Sequence, residues 1–158
     1  MLKIFCRKSD NKAVKVSSKG KVTIQGTGCA VITIKAAGTS NYNEENVKVT
    51  VLVSPKKQTL QAPKALAGRK LKISWKKDTK AAGYEVQYST DKNFKNKKAT
   101  KTKVVKSNKT ISVTIGKLAK GKKYYVRVRA YKTAKAAGKN QKLYGKWSST
   151  KRSGKIKK

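Results

Sequence analysis

Histidine is absent from the 158 residues, and acidic side chains number only six. The first absence removes the commonest general base at neutral pH and the commonest nitrogen ligand of zinc, and with them most catalytic triads and metal constellations. The six carboxylates are Asp10, Glu44, Glu45, Asp78, Glu85 and Asp91, and they are dispersed along the chain. Only Glu44 and Glu45 adjoin, on a stretch that reads as a loop, so neither an acid–base pair nor an oxygen cage for calcium is spelled out. Cysteine is confined to Cys6 and Cys29, a spacing that forms no zinc motif and leaves their pairing open. By strand alternation both fall on the faces opposite their apolar neighbours.

Long apolar runs are missing too. No stretch approaches the roughly 18 residues a membrane helix needs. The amino terminus, Met1-Leu-Lys-Ile-Phe-Cys-Arg-Lys, lacks the apolar core of a secretory signal. Gly26-Thr-Gly28 is too short for a phosphate loop and opens a strand rather than a helix, so it offers no anion site at a helix end. Asn108-Lys-Thr110 fits the glycosylation pattern, a match common by chance. No catalytic group, cofactor or metal is expected.

What the chain has in abundance is lysine. Lys and Arg total 42, giving a formal charge of +36. Residues 1–54 carry nine cations and three acids, net +6, whereas residues 55–158 carry 33 and three, net +30. Such a charge bears on solubility, non-specific binding and association rate, and not on fold. The apolar residues are patterned nonetheless, so a folded chain with a lysine-rich skin is expected rather than a disordered one.

The patterning has a period of two throughout, and no segment shows helical periodicity. In the first region strands are predicted over 3–8, 13–17, 21–25, 29–36 and 46–53, with turns at Ser18-Lys-Gly20, Gly26-Thr-Gly28 and the polar loop from Gly38 to Asn43. Val47, Val49, Val51 and Val53 share one face of the last of these. Pro55 and Pro63, the only prolines, lie between the two patterned regions, and residues 55–62 read as a linker. In the second region Leu71-Lys-Ile-Ser-Trp75 alternates, as does Gly83-Tyr-Glu-Val-Gln-Tyr-Ser89 with Tyr84, Val86 and Tyr88 inward and Glu85 and Gln87 outward. Residues 98–106 read as a lysine-rich edge strand. Thr110–Ile115 would bury Ile111, Val113 and Ile115. Tyr124–Tyr131 puts Tyr124, Val126, Val128 and Ala130 on one face and Tyr125, Arg127, Arg129 and Tyr131 on the other. Residues 134–140 read as a loop before Tyr144-Gly-Lys-Trp-Ser-Ser149.

Two resemblances follow from these runs. Trp75, the Leu118/Tyr124 pair and Trp147-Ser148 stand in the order and spacing of a fibronectin type III domain, with Tyr124 in the place of its tyrosine corner. Residues 63–158 therefore resemble that domain, and the resemblance implies a core built on Trp75, Tyr84, Val86, Leu118, Tyr124, Val126, Val128 and Trp147. The run from Ser9 through Val16-Ser-Ser-Lys-Gly-Lys-Val-Thr-Ile24, Gly26-Thr-Gly-Cys-Ala-Val-Ile-Thr-Ile34, Asn41-Tyr-Asn and Val47-Lys-Val-Thr-Val51 resembles a bacterial immunoglobulin-like group 2 domain. Here residues 1–54 lack roughly two opening strands of that family, which implies a partial sandwich with an open edge, uncovered apolar surface and a longer parent polypeptide. The fold class expected is all-β: a fibronectin type III (Ig-like) β-sandwich preceded by a partial Ig-like β-sandwich.

Together the resemblances imply a non-catalytic structural or adhesion module of a bacterial surface or secreted protein, with neighbouring domains and an extracellular or cell-surface location. The alternative is a carbohydrate- or polyanion-binding accessory domain of a larger extracellular enzyme. The outward residues Tyr125, Arg127, Arg129 and Tyr131, with Glu85 and Gln87 on the paired strand, form the candidate partner-binding face, because Tyr and Arg are enriched at binding hot spots. A plain cross-strand ladder explains the same residues. The lysines fit solubility alone, an anionic cell-wall polymer or glycan, or nucleic acid. For the last, specific recognition lacks a groove-reading helix and exposed aromatic platforms.

Overall fold

The computed structural model describes residues 3–5, 13–17, 19–36, 38, 43–136 and 138–158, the first three through their backbone alone. The described residues form thirteen strands and no helix. In chain order these are β1 (Lys3–Phe5), β2 (Val14–Val16), β3 (Val22–Ile24), β4 (Gly28–Ala36), β5 (Glu45–Val53), β6 (Lys64–Leu66), β7 (Lys70–Ser74), β8 (Gly83–Ser89), β9 (Lys101–Val105), β10 (Ser112–Ile115), β11 (Tyr125–Ala136), β12 (Lys139–Tyr144) and β13 (Lys151–Arg152). Two compact units result. One takes in the chain up to Ser54 together with Lys132–Leu143, and the other Pro55–Tyr131 with Tyr144–Lys158.

In the first unit a three-stranded antiparallel sheet runs β1-β4-β5, and β2 and β3 pair separately. Alternation along β4 supplies both faces. Ala30 and Ile32 are buried against Ala13 and Val14, with Ile34, Val51 and Val53 packed around them. Cys29 points the other way and is buried against Ala134 and Leu143. Among the described residues Cys29 has no disulfide partner; Cys6, and with it the pairing of the two, lies outside them. Apolar surface remains open in this unit: Val22, Ile24, Val47, Val49 and Leu52 are all exposed, Ile24 by 68%.

Of residues 134–140, expected as a loop, 134–136 are instead the end of β11, Gly138 is a turn and 139–140 are the start of β12. Ala and Gly are poor strand formers on their own. What makes Ala134 a strand residue is its burial against Cys29 and Leu143, and Gly138 at φ 79° supplies a left-handed turn position.

The second unit is a two-layer sandwich. One layer runs β10-β7-β6; in the other, residues 125–131 of β11 pair with β8, β8 pairs with β9, and β13 also lies on β11. Between them lies a contiguous core containing Leu71, Ile73, Trp75, Tyr84, Val86, Leu118, Tyr124, Val126 and Val128. The inward alternation of β8 and β11 is what brings these side chains to one plane, and Val126, Val128 and Ala130 are wholly buried. The Trp75 and Tyr84 rings meet at 5.2 Å between centroids, tilted by 60°.

The Leu118/Tyr124 corner closes the end of this layer. Tyr124 Oη accepts a hydrogen bond from Ala119 N at 3.2 Å, tying the turn to the strand it feeds. Two buried serines complete β11. Ser148 Oγ accepts from Val128 N at 3.0 Å, and Ser153 Oγ accepts from Tyr124 N at 2.9 Å. Their hydroxyls satisfy backbone donors where a regular strand does not run, which buried amides require.

Three expectations are corrected here. Residues 55–62 are not a free linker: Pro55, Gln58 and Leu60 are buried, and Leu60 bridges to Trp75. Gln58 reaches back to Asp78 at 3.3 Å, and Lys76 N donates to Thr59 O at 2.9 Å. Ile111 is 44% exposed and Val113 only half-buried, because β10 begins at Ser112 and lies at its sheet's edge. The edge strand expected over 98–106 is shortened to β9, since Asn96 Oδ1 caps Lys98 N and Ala99 N and holds those residues in a turn.

Candidate binding face

The outer face of β8 and β11 is assembled by register. Antiparallel pairing sets Arg127 opposite Gln87 and Arg129 opposite Glu85. Arg127 donates from Nε and Nη2 to Gln87 Oε1 at 2.9 and 2.7 Å. Arg129 Nε and Nη2 reach Glu85 Oε2 at 2.8 and 2.6 Å. Both arginines are therefore held by their cross-strand partners.

Aromatic rings fill the spaces between and outside them. Phe94 lies 4.2 Å from the Arg127 guanidinium carbon. Trp147 sits between the two arginines, 4.5 Å from Arg127 and 4.4 Å from Arg129. Tyr144 closes the other end, 3.8 Å from Arg129. The order is Phe94, Arg127, Trp147, Arg129, Tyr144, a stack of alternating ring and cation. Each such contact contributes about 0.5–1 kcal/mol at exposed sites and more when water is excluded.

The electrostatics follow from this packing. Burial pulls the Arg127 guanidinium below its ordinary value, with repulsion from Arg129 adding to it. Burial, joined by the neighbouring Glu85 carboxylate, pushes the Tyr144 phenol up. Phe94 is delivered by a loop shaped by Asp91, whose carboxylate accepts from the backbone N–H groups of Asn93, Lys95 and Asn96. These bonds hold Asp91 below the usual carboxylate range. Phe94 itself adopts φ 58°, a left-handed conformation that costs a side chain of this size about 1 kcal/mol or more.

Two residues are not where alternation put them. Tyr131 was expected outward with Tyr125, yet it is 5% exposed. Its cross-strand partner is Gly83, which has no Cβ, so the tyrosine ring folds into the vacant space and its hydroxyl donates to Val105 O at 3.5 Å. Trp147 was expected in the core and is half-buried on the outer face among the arginines. The remaining core residues named from the sequence, Trp75, Tyr84, Val86, Leu118, Tyr124, Val126 and Val128, are all buried. Tyr125 is half-buried opposite Ser89.

The face thus brings together Arg127, Arg129, Glu85 and Gln87 as expected, adds Phe94, Tyr144 and Trp147, and removes Tyr131. Sequence reasoning missed Phe94 and Tyr144 and assigned Trp147 to the core, because all three lie outside the alternating strands that flagged the arginines. The arrangement is a self-satisfied ladder, with the Glu85 side chain only 12% exposed. Among the described residues no group of three or more acidic, cysteine or histidine side chains could hold a metal ion, and no helix is long and apolar enough to cross a membrane.

Two facing sheets with this strand order define an immunoglobulin-like β-sandwich. More narrowly, the fibronectin type III domain family matches residues 53–146, more than half of the sequence, and the chain belongs to that family. Among solved structures it is similar to the crystal structure of the chicken CNTN1 FN1-FN3 domains, at 18% identity and a TM-score of 0.53. The alignment covers 87% of this chain and 47% of that one, so this chain spans about half its length. At that identity the likeness carries fold alone. A search of the curated proteins finds no match.

Proposed function

We propose that this chain is a non-catalytic structural or adhesion module of a bacterial surface or secreted protein, spacing or presenting neighbouring domains. The observation that carries the reading is membership of the fibronectin type III family over residues 53–146, since such domains commonly serve as structural or adhesion modules in multidomain proteins. The Arg–aromatic ladder supports it, because the residues that would most readily bind a partner are spent on one another. In this reading residues 1–54 are a partial bacterial Ig-like domain and residues 63–158 the fibronectin type III domain. The bacterial origin rests on the resemblance of residues 1–54 and on the lysine-rich skin.

The test uses antibodies raised against this chain and intact cells of the source organism. Labelling of intact cells, lost after brief external proteolysis, is the result expected. Labelling that appears only after lysis would overturn a surface location. Turnover of a cell-wall polymer or glycan by the purified chain would overturn its non-catalytic character. Saturable glycan binding that survives ~0.5 M salt would instead favour an accessory binding domain, because screening at that ionic strength removes diffuse charge attraction.

A further inference from the structure

At one end of the second unit an open groove of about 780 Å³ runs between β6 and the carboxy-terminal segment. Its walls carry Lys64 and Lys120 on one side of the chain order and Lys155, Lys157 and Lys158 on the other, all exposed, and none of its lining residues is acidic. Its floor is apolar: Ala65 is half-buried, Leu66 is 38% exposed and Ile156 is buried. One edge of β6 pairs with β7, and among the described residues no strand pairs with the other.

The groove is also held in place. Gly121 N donates to Ile156 O and Ile156 N to Lys122 O, both at 2.9 Å. Gly68 N donates to Lys158 O at 2.9 Å and Arg69 N to Lys157 O at 3.2 Å. A site fixed before its ligand arrives loses less ordering entropy on binding.

We propose that this groove binds an acidic peptide in extended conformation, added as a strand to the free edge of β6. Three features point to one occupant. The unpaired edge offers backbone donors and acceptors, which only another backbone matches repeatedly. An added strand presents its side chains alternately to two sides. Acidic residues on one side would then meet Lys64 and the neighbouring lysines, while small apolar residues on the other meet Ala65, which faces the core. Charge excludes a basic partner, and a bare polyanion would leave both the edge and the apolar floor unused.

The probe is a capped peptide of about seven residues alternating Glu and Val, titrated into the whole 158-residue chain and followed by backbone amide NMR shifts. Shifts concentrated at residues 64–66 and 154–158 are expected. The charge-reversed pair Lys64→Glu and Lys155→Glu, both at exposed positions, should weaken binding at least tenfold without lowering the thermal melt. The same peptide with alternate amides N-methylated keeps its charge and loses its strand donors, and it too should bind at least tenfold more weakly. Equal binding of the N-methylated peptide, shifts mapping elsewhere, or no shift at millimolar peptide would each overturn the proposal. So would stronger perturbation of the same amides by dextran sulfate or polyphosphate at ~0.5 M salt, which would make a polyanion the occupant. The spacing role stands or falls separately, by surface labelling.

Discussion

Gly83→Ala tests how tightly the second unit is built around a missing side chain. A Cβ at Gly83 would lie 2.2 Å from Val105 O and 2.7 Å from Tyr131 Oη. Carbon and oxygen in contact ordinarily sit at least about 3.3 Å apart, so the overlap is roughly 1 Å and one of its partners is backbone. Relief requires β8 and β9 to part near Tyr84 and Val105, which are paired, and the Tyr131 ring to leave its seat. Overpacking of this kind costs about 1–3 kcal/mol. Partial re-exposure of an aromatic ring adds about 1–2 kcal/mol. A total of about 2–5 kcal/mol corresponds to a fall in Tm of roughly 10–35 °C for a unit of this size. Both tryptophans, Trp75 and Trp147, lie in the second unit, so tryptophan fluorescence during urea or thermal unfolding reports on it alone. Gly116→Ala is the control, since nothing lies within 4 Å of its Cβ and its φ is not left-handed; it should be neutral or stabilise by about 0.4–1 kcal/mol. Gly83→Ala should couple by at least ~0.5 kcal/mol to Tyr131→Ala in a double-mutant cycle, because the ring is one of the two clashing partners. A Gly83→Ala melt within ~0.5 kcal/mol of the parent would refute the close approach.

Tyr124→Phe removes the acceptor for Ala119 N and should lower stability by ~1–2 kcal/mol in urea unfolding; an unchanged midpoint would show the corner bond to be unimportant. Trp147→Ala withdraws the ring between Arg127 and Arg129 and should cost about 2 kcal/mol, with Trp147→Phe recovering part of it; a neutral Trp147→Ala would mean the stack contributes nothing. Burial raises the phenols of Tyr84, Tyr88 and Tyr144 above the ordinary value near 10. A raised folded value means a contribution fully present below about pH 10 and lost as pH climbs through the folded values, so the part of the stability that these tyrosines contribute should fall in the alkaline range. Ultraviolet titration that shows all seven tyrosines ionising together near 10 without unfolding would contradict this. Residues 55–158 hold a net charge of +30 and only three carboxylates, so the urea midpoint should rise between ~0.05 and ~0.5 M sodium chloride as screening shortens the repulsion; a flat or falling midpoint would show that repulsion is negligible.

Much of this protein was legible before folding was considered. The period-two pattern set both the all-β class and the inward faces of β8 and β11, because a side chain's side of a sheet depends only on local backbone geometry. The same rule placed Arg127 and Arg129 outward and Val126 and Val128 inward without reference to any neighbour. Charge distribution and the lack of histidine were likewise properties of composition alone.

Long-range packing decided the rest. Tyr131 obeys the alternation of β11 in backbone and escapes it in burial, because the residue opposite happens to be Gly83. Trp147 joins the arginines, and Phe94 is carried to them by a loop that Asp91 shapes, so the stack depends on three segments distant in sequence. Ala134 became a strand residue through Cys29 and Leu143, against its own weak propensity. Alternation alone marked the inward faces of β7 and β8 and of β11 as far as Ala130, and composition alone the charge of the surface, since these are local. Which rings meet which cations, and where a strand edge is left free beside five lysines, depended on contacts between residues far apart in the chain, and only the tertiary structure brings those together.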